Sequence, residues 1–272
     1  METFFCHKKK KQRIRMKKYI HDLKIISNTR LNGENFMLEC ALPDEPVEIF
    51  PGQFVEVLVK DSVNTFLRRP FSVHDVDKKK NSIHFFIKIV GDGSAKLSTL
   101  IAGDFLNVMY PLGKGFTISE KKKVLLVGGG CGMAPLLYLA RTLKEKNNEV
   151  TILLGGRTEG DILEERYFED FGKVYFTTET GCLGEKGFVT DHSILKSNNA
   201  FDRIYTCGPE PMMKAVAKYA KQHKIDCEVS LENTMACGIG ACLCCVTETK
   251  EGNKCVCTEG PVFNINELSW QI

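Results

Sequence analysis

Short apolar or alternating stretches, separated by Pro, Gly, Asn and Asp, dominate residues 19 to 110. "YIHDLKIISNTR", "NFMLECALP", "GQFVEVLVK", "RRPFSVHDVD" and "SIHFFIKIVG" read as strands, the alternating ones with a period near two that puts every second side chain on one face. Strands this short, this closely punctuated, predict a small antiparallel barrel. From about 121 to 223 the pattern changes to apolar run then helical period: "KVLLVGG" before "APLLYLARTLKEK", "EVTILLGG" before "ILEERYFEDF", "DRIYTCG" before "EPMMKAVAKYAKQHK". That alternation predicts a parallel sheet with crossover helices. The last fifty residues show little apolar periodicity. The chain therefore divides into a tail (1–16), a β-barrel (17–118), an α/β domain (119–224) and a C-terminal domain (225–272), a β plus α/β architecture. There is no internal repeat.

Length agrees with that division, because 272 residues exceed what one hydrophobic core normally organises. The formal charge of +3 misleads: residues 1–15 hold six basic side chains against Glu2, so the remainder carries −2. Nothing in the main body predicts a nucleic-acid surface. The head "METFFCHKKKKQRIR" lacks the apolar core of a signal peptide, which predicts a cytoplasmic, reducing setting and disfavours disulfides. It reads as a disordered basic tail, or as an extension ahead of an initiator at Met16. The longest uncharged run, "VLLVGGGCGMAPLLYLA", is shorter than the roughly 20 residues of a membrane span and holds four glycines and a proline. It reads as strand, turn, helix, and no membrane partner is expected.

That run carries the first candidate chemistry. Gly128, Gly129, Gly130 and Gly132 separate a buried-type strand from a helix, where a tight turn lets backbone N–H groups approach a pyrophosphate at the helix N-terminus. The dinucleotide fingerprint G-x-G-x-x-G is broken by Met133. "TCGPEPMM" places Cys207, Gly208 and Pro209 at the end of a later strand, on the edge where open α/β sheets bind ligands. Upstream, "RRPFS" joins cations and a hydroxyl to a fixed-φ proline, a suitable clamp for a phosphate and a ring system. The order "RRPFS", "IVGDGS", "PLGKGF", glycine turn and "CGP" resembles the ferredoxin-NADP reductase superfamily. The resemblance implies that Arg69, Pro70, Phe71 and Ser72 contact FAD. Phe86, Ile87 and Lys88, with Gly93 and Ser94, would complete its ribityl and pyrophosphate cradle. Gly128, Gly129, Gly130 and Gly132, with Cys207, Gly208 and Pro209, would line the nicotinamide site.

"MACGIGACLCCVTETKEGNKCVCTEGPVF" packs six of the twelve cysteines into residues 235–263. Cys237-x4-Cys242-x2-Cys245 is the spacing of plant-type 2Fe-2S sites held by four thiolates. A zinc ribbon would want paired C-x2-C knuckles, and only Cys242 and Cys245 form one. Histidine ligands are excluded locally, since the last histidine is His223. The fourth ligand is Cys255 or Cys257, which on an extended segment face the same way.

"MACGIGAC" followed by "VCTEGPVF" is similar to the electron-transfer subunits of NAD-dependent, class 1B dihydroorotate dehydrogenases, and the likeness runs from 17 to 272. It selects Cys257 and leaves Cys244 and Cys255 as bystanders. It also implies a path from dihydroorotate to FMN on a separate catalytic subunit, through the 2Fe-2S cluster and FAD of this chain to NAD⁺, in a heterotetramer with two copies of each chain serving pyrimidine biosynthesis. A subunit of an NADPH-dependent ferredoxin or sulfide oxidoreductase is the alternative, usually with fewer cysteines in this motif. The nucleotide is open from the residues alone: after "TILLGG" stands Arg157, a possible 2′-phosphate partner, and no acidic residue is seen at the strand tip.

Overall fold

The computed structural model describes residues 17–163, 165–196 and 200–272, so the basic tail expected over 1–16 lies outside the described residues. The first domain contains β1 (Tyr19–Arg30), β2 (Asn35–Ala41), β3 (Phe54–Leu58), β4 (Arg69–Ser72), β5 (Asp75–Asp77), β6 (Ser82–Lys88), a short helix α1 (Asp92–Leu97) and β7 (Phe105–Leu112). The strands are ordered β4-β3-β7-β1-β2-β6-β5, with antiparallel neighbours. The edge strands β4 and β5 are consecutive in the chain. Val73 N–H bonds to Gln53 O on one side and His74 N–H to His84 O on the other, so this one run joins both edges and closes the barrel. Its interior is filled by alternate residues such as Leu23, Ile25, Phe36, Leu38, Val55 and Val57.

The second domain supplies β8 (Lys123–Gly129), α2 (Leu136–Glu145), β9 (Glu149–Gly156), α3 (Glu165–Glu169), β10 (Lys173–Thr178), β11 (Glu185–Lys186), α4 (Ser193–Lys196), β12 (Arg203–Cys207), α5 (Glu210–Gln222) and β13 (Asp226–Ser230). The sheet order is β11-β10-β9-β8-β12-β13, all parallel. Along β8, Val124 and Leu126 pack with Leu136 and Leu139 of α2, while Leu125 and Val127 pack with Met213 and Val216 of α5. A strand buried on both faces reads as the continuous apolar run "VLLV". Between β8 and β12 the strand order reverses direction, which is where such sheets open a crevice.

The C-terminal region holds the hairpin β14 (Val246–Thr249) and β15 (Gly252–Cys255), a single helical turn α6 (Val256–Glu259), and β16 (Val262–Asn264). The parallel sheet runs past residue 224: β13 is its next strand, and β16 returns antiparallel to pair with β13. Cys245, Val256 and Cys257 share one core with Met109 and Leu112 of the barrel and Val229 of the sheet. The cysteine-rich segment therefore borrows its core from both neighbours, as its weak apolar periodicity requires. No helix among the described residues is long and apolar enough to cross a membrane.

Candidate functional site

Strand pairing builds the clamp. Opposite Arg69, Pro70, Phe71 and Ser72 of β4 stand Val57, Glu56, Val55 and Phe54 of β3. Arg68 is consumed structurally, its guanidinium bonding to Glu56 O at 3.1 Å and to Asn107. The side chain of Arg69 is exposed and makes no hydrogen bond or ion pair among the described residues. A Cβ built on Gly93 would stand 3.5 Å from Arg69 Cγ and 3.2 Å from Thr65 Cγ2, so the fold brings the "GDGS" turn against the clamp. Ser94 serves that turn rather than open space. Its buried hydroxyl accepts the N–H groups of Val90 (2.9 Å) and Gly91 (3.2 Å) and donates to Gly91 O (3.0 Å). Phe86 and Ile87 are buried in β6, and Lys88 at its end pairs with Glu34 at 3.0 Å.

At the sheet's crevice, Gly128 of β8 stands in register with Cys207 of β12. A Cβ on Gly132 would lie 2.4 Å from the backbone of Cys207 and Gly208, and one on Gly129 would lie 2.5 Å from Met212 Sδ. Only glycine lets the two motifs pack backbone to backbone. Gly130 has φ +53° with nothing within 4 Å of its Cβ direction, so its backbone faces open space. A cleft of about 610 Å³ opens there, lined by Gly129, Gly130, Arg157, Glu179 and Pro209 and, from the barrel, by Lys88. Gly128, Gly132, Cys207 and Gly208 are buried behind this lining and shape it. Burial raises the Cys207 thiol well above its ordinary value, with Glu232, 4.0 Å from its sulfur, adding to the effect.

Acidic residues do stand at the strand tips. After β9 the chain folds back through a 3₁₀ turn, so that Asp161 accepts the N–H groups of Arg157 (3.1 Å) and Thr158 (3.0 Å) and lies 4.0 Å from Arg157 Nε. Glu179 follows β10, its N–H bonded to Gly156 O at 3.2 Å. Sequence reading missed both because the turn and the strand pairing, not proximity in sequence, bring them to the cleft.

The cysteine loop turns on left-handed residues: Gly238 (φ +64°), Gly240 (φ +81°) and Leu243 (φ +57°). The turns aim backbone N–H groups at sulfur. Ala241 and Cys242 donate to Cys237 Sγ at 3.3 and 3.4 Å, and Cys257 N–H donates to Cys245 Sγ at 3.3 Å. Burial pushes the Cys237 thiol up, but the N–H groups of Ile239, Cys242 and Ala241 outweigh it and bring the thiol down to about 6. The N–H groups aimed at the Cys237 and Cys245 sulfurs, with the lowered Cys237 thiol, fit iron–sulfur ligands. Cys257 is pushed up to about 12, first by burial and then by the Cys245 side chain, as two thiols crowded together must be. Among the described residues no three His, Cys, Asp or Glu side chains converge tightly enough to hold a metal ion.

The chain is not extended through the two candidate fourth ligands. Cys255 ends β15 in extended backbone while Cys257 lies in the helical turn that begins at Val256, so the alternation of an extended segment does not relate them. Cys257 is buried and its N–H meets the Cys245 sulfur; Cys255 is half-buried, its N–H held by Glu259 at 3.2 Å. Cys242 and Cys244 are exposed, flanked by the exposed apolar side chains of Ile239 and Leu243.

Glu56, which no sequence signal marked, sits between clamp and loop. It is fully buried, and neither carboxyl oxygen has a hydrogen-bond partner among the described residues. Burial pushes its carboxyl up to about 7, against the opposing pull of Arg68 and Arg69.

Residues 232–269 match the iron-sulfur cluster binding domain of dihydroorotate dehydrogenase B, residues 126–218 an oxidoreductase NAD-binding domain, and residues 22–116 an oxidoreductase FAD-binding domain. The chain is 38% identical over 263 residues to the dihydroorotate dehydrogenase B (NAD(+)) electron transfer subunit of Shouchella clausii, covering 93% of this chain and 99% of that one. The equivalent subunit of Caldanaerobacter subterraneus is 40% identical over 249 residues, covering 90% and 96%. Among solved structures, an NADH-dependent reduced ferredoxin-NADP oxidoreductase superposes with a TM-score of 0.84 at 31% identity, covering 92% of this chain and 90% of that one. An Amycolatopsis cytochrome P450 reductase, at 22% identity, shares the fold with a TM-score of 0.66 over 78% of this chain and 68% of its own.

Proposed function

The chain belongs to the family of electron transfer subunits of NAD(+)-dependent dihydroorotate dehydrogenase B, an oxidoreductase family whose members combine iron–sulfur, FAD and NAD chemistry, and from that premise we propose how its residues divide the work. Arg69, Pro70, Phe71 and Ser72 hold FAD, with Arg69 supplying the charge-assisted contact and Phe86, Ile87, Lys88 and the Gly93–Ser94 turn shaping the cradle. Cys237, Cys242, Cys245 and Cys257 hold the 2Fe-2S cluster, while Cys244 and Cys255 stand by. Gly129, Gly130 and Pro209 admit the NAD pyrophosphate and nicotinamide, backed by Gly128, Gly132, Cys207 and Gly208. When bound, the flavin exchanges hydride with nicotinamide and single electrons with the cluster.

One observation carries this reading. Lys88, next to Phe86 and Ile87 on the flavin strand, lines the same cleft as Gly129, Gly130 and Pro209, so the barrel and the sheet present their ligands to one another. The protein's part is to hold these groups in line and to screen them from water. Asp161 neutralises Arg157, and Glu179 offers a carboxylate for a ribose hydroxyl, which supports NAD over NADP.

The proton of dihydroorotate is taken on a catalytic partner carrying FMN, as the name of an electron transfer subunit implies. The partner docks at the exposed face of the cysteine loop, most simply in a heterotetramer with two copies of each chain, in the cytoplasm and in pyrimidine (UMP) biosynthesis. The purified chain alone is expected to pass electrons from NADH to artificial acceptors without oxidising dihydroorotate. Co-expressed with an FMN-bearing dihydroorotate dehydrogenase subunit it should co-purify, and the complex should reduce NAD⁺ with dihydroorotate. Dihydroorotate oxidation by the isolated chain would overturn the assignment. Failure to co-purify would favour a ferredoxin-linked oxidoreductase subunit.

A further inference from the structure

Glu56 is a buried acid in an apolar seam. Along β3, Val55 and Val57 point into the barrel, while Phe54 belongs to the outer core that also contains Met109, Leu112, Cys245 and Cys257. By strand alternation Glu56 faces outward with Phe54, into the seam between barrel and cysteine loop. It is paired with Pro70 of the clamp on one side and with Met109 of β7 on the other. A Cβ on Gly238, the residue after Cys237, would lie 2.7 Å from Glu56 Cγ and 3.1 Å from Met109 Cε and Leu112 Cδ1, so the loop rests directly on this side chain. Two cross-strand partners and one van der Waals contact thus link clamp, Glu56 and cluster loop in a continuous path.

A fully buried carboxyl with no partner for either oxygen is costly, and an apolar residue of the same size would pack the seam without that cost. Such costs persist where a group has a task. We propose that Glu56 is a positioning residue for electron exchange between flavin and cluster: it seats the cluster loop at Gly238 against the flavin clamp and, by its charge, sets the potential of the cluster relative to the flavin. The proposal rests on the ligand and clamp assignments above. In its ionised form Glu56, packed on Gly238 next to Cys237, opposes adding an electron to the cluster.

The test uses the full chain carrying its FAD and cluster. NADH would supply a hydride, two electrons with one proton, and the two bound groups would share the electrons. Rapid mixing follows cluster bleaching relative to flavin bleaching, and a redox titration read by the paramagnetic signal of the reduced cluster gives its potential. Glu56→Gln, which keeps the shape and removes the charge, is expected to retain iron and FAD and to shift the flavin–cluster equilibrium about tenfold toward the reduced cluster, or about 59 mV for a one-electron couple. Glu56→Ala, which removes the seat as well as the charge, is expected to give a ratio of cluster to flavin bleaching about tenfold below that of Glu56→Gln. Wild-type potential in Glu56→Gln, even with reduced stability, overturns the charge role. A bleaching ratio in a folded Glu56→Ala equal to that of Glu56→Gln overturns the seat. A wild-type chain that binds no iron or no FAD overturns the proposed function as well, and is told apart by that alone.

Discussion

The glycine turn after β8 and the cysteine loop after β13 are both places where backbone makes the site, but they are held in opposite ways. The turn is fixed by a parallel ladder, and the atoms that crowd Gly132 are the main chain of Cys207 and Gly208, at 2.4 Å. The loop is fixed by left-handed residues, by N–H···S contacts of 3.3 to 3.4 Å, and by a seat of side-chain atoms around Gly238. Main chain in a sheet cannot step aside, whereas side-chain ends can. Damage to the turn should therefore spread through the sheet, and damage to the loop should stay local and show in its cofactor.

The largest effect expected is all-or-none. Cys237→Ser, Cys242→Ser, Cys245→Ser and Cys257→Ser should each strip or strongly deplete iron, while FAD, held in another domain, stays bound. Cys244→Ser and Cys255→Ser should keep the cluster. Iron analysis beside the flavin spectrum checks this, and iron that survives loss of Cys257 but not of Cys255 would reverse the ligand choice.

Next comes a matched pair. Gly132→Ala should destabilise the protein by about 3 kcal/mol, lowering its melting midpoint by roughly 10 °C, because the added carbon meets backbone with nowhere to go. Gly238→Ala should cost about 1 to 2 kcal/mol for its left-handed φ, with the Glu56 side chain and the ends of Met109 and Leu112 displaced around it, and should show instead as lowered iron content. Equal losses of melting temperature in the two variants would erase the contrast drawn above.

Arg69→Ala removes a charge-assisted contact worth about 1.5 to 3 kcal/mol and should weaken FAD binding roughly ten- to a hundredfold, measured by flavin retained on gel filtration. Undiminished retention would count against the clamp. The smallest effect concerns iron removal by a chelator. Amide exchange should quicken around residues 236–245 and remain slow in β8 and β12, since the loop borrows its core while the sheet has its own. Quickened exchange across the sheet would mean that the cluster supports the whole domain.

Much of this molecule is written along the chain. Period-two and period-3.6 patterns are local, so the strands from 19 to 88, the central run "VLLV" and the helices after β8 and β12 are legible from side-chain spacing alone. The cysteine spacing is local as well, because a cluster needs its thiolates at short, defined intervals. Tertiary structure decided what depends on residues far apart in sequence. Val73 and His74 close the barrel only because both sheet edges come to them, and β16 joins the sheet across the whole cysteine segment. Cys255 and Cys257 part company because the chain turns helical between them. Asp161 and Glu179 reach the cleft through a turn and a strand register, and Ser94, legible as a cradle residue, spends its hydroxyl on its own turn. Glu56 is the plainest case. In "GQFVEVLV" it occupies the outward face of a strand, where an acid ordinarily meets water, and only the docking of a loop some 180 residues later buries it. Burial is a property of the assembled fold, so the chemistry it creates cannot be read from the neighbours in sequence.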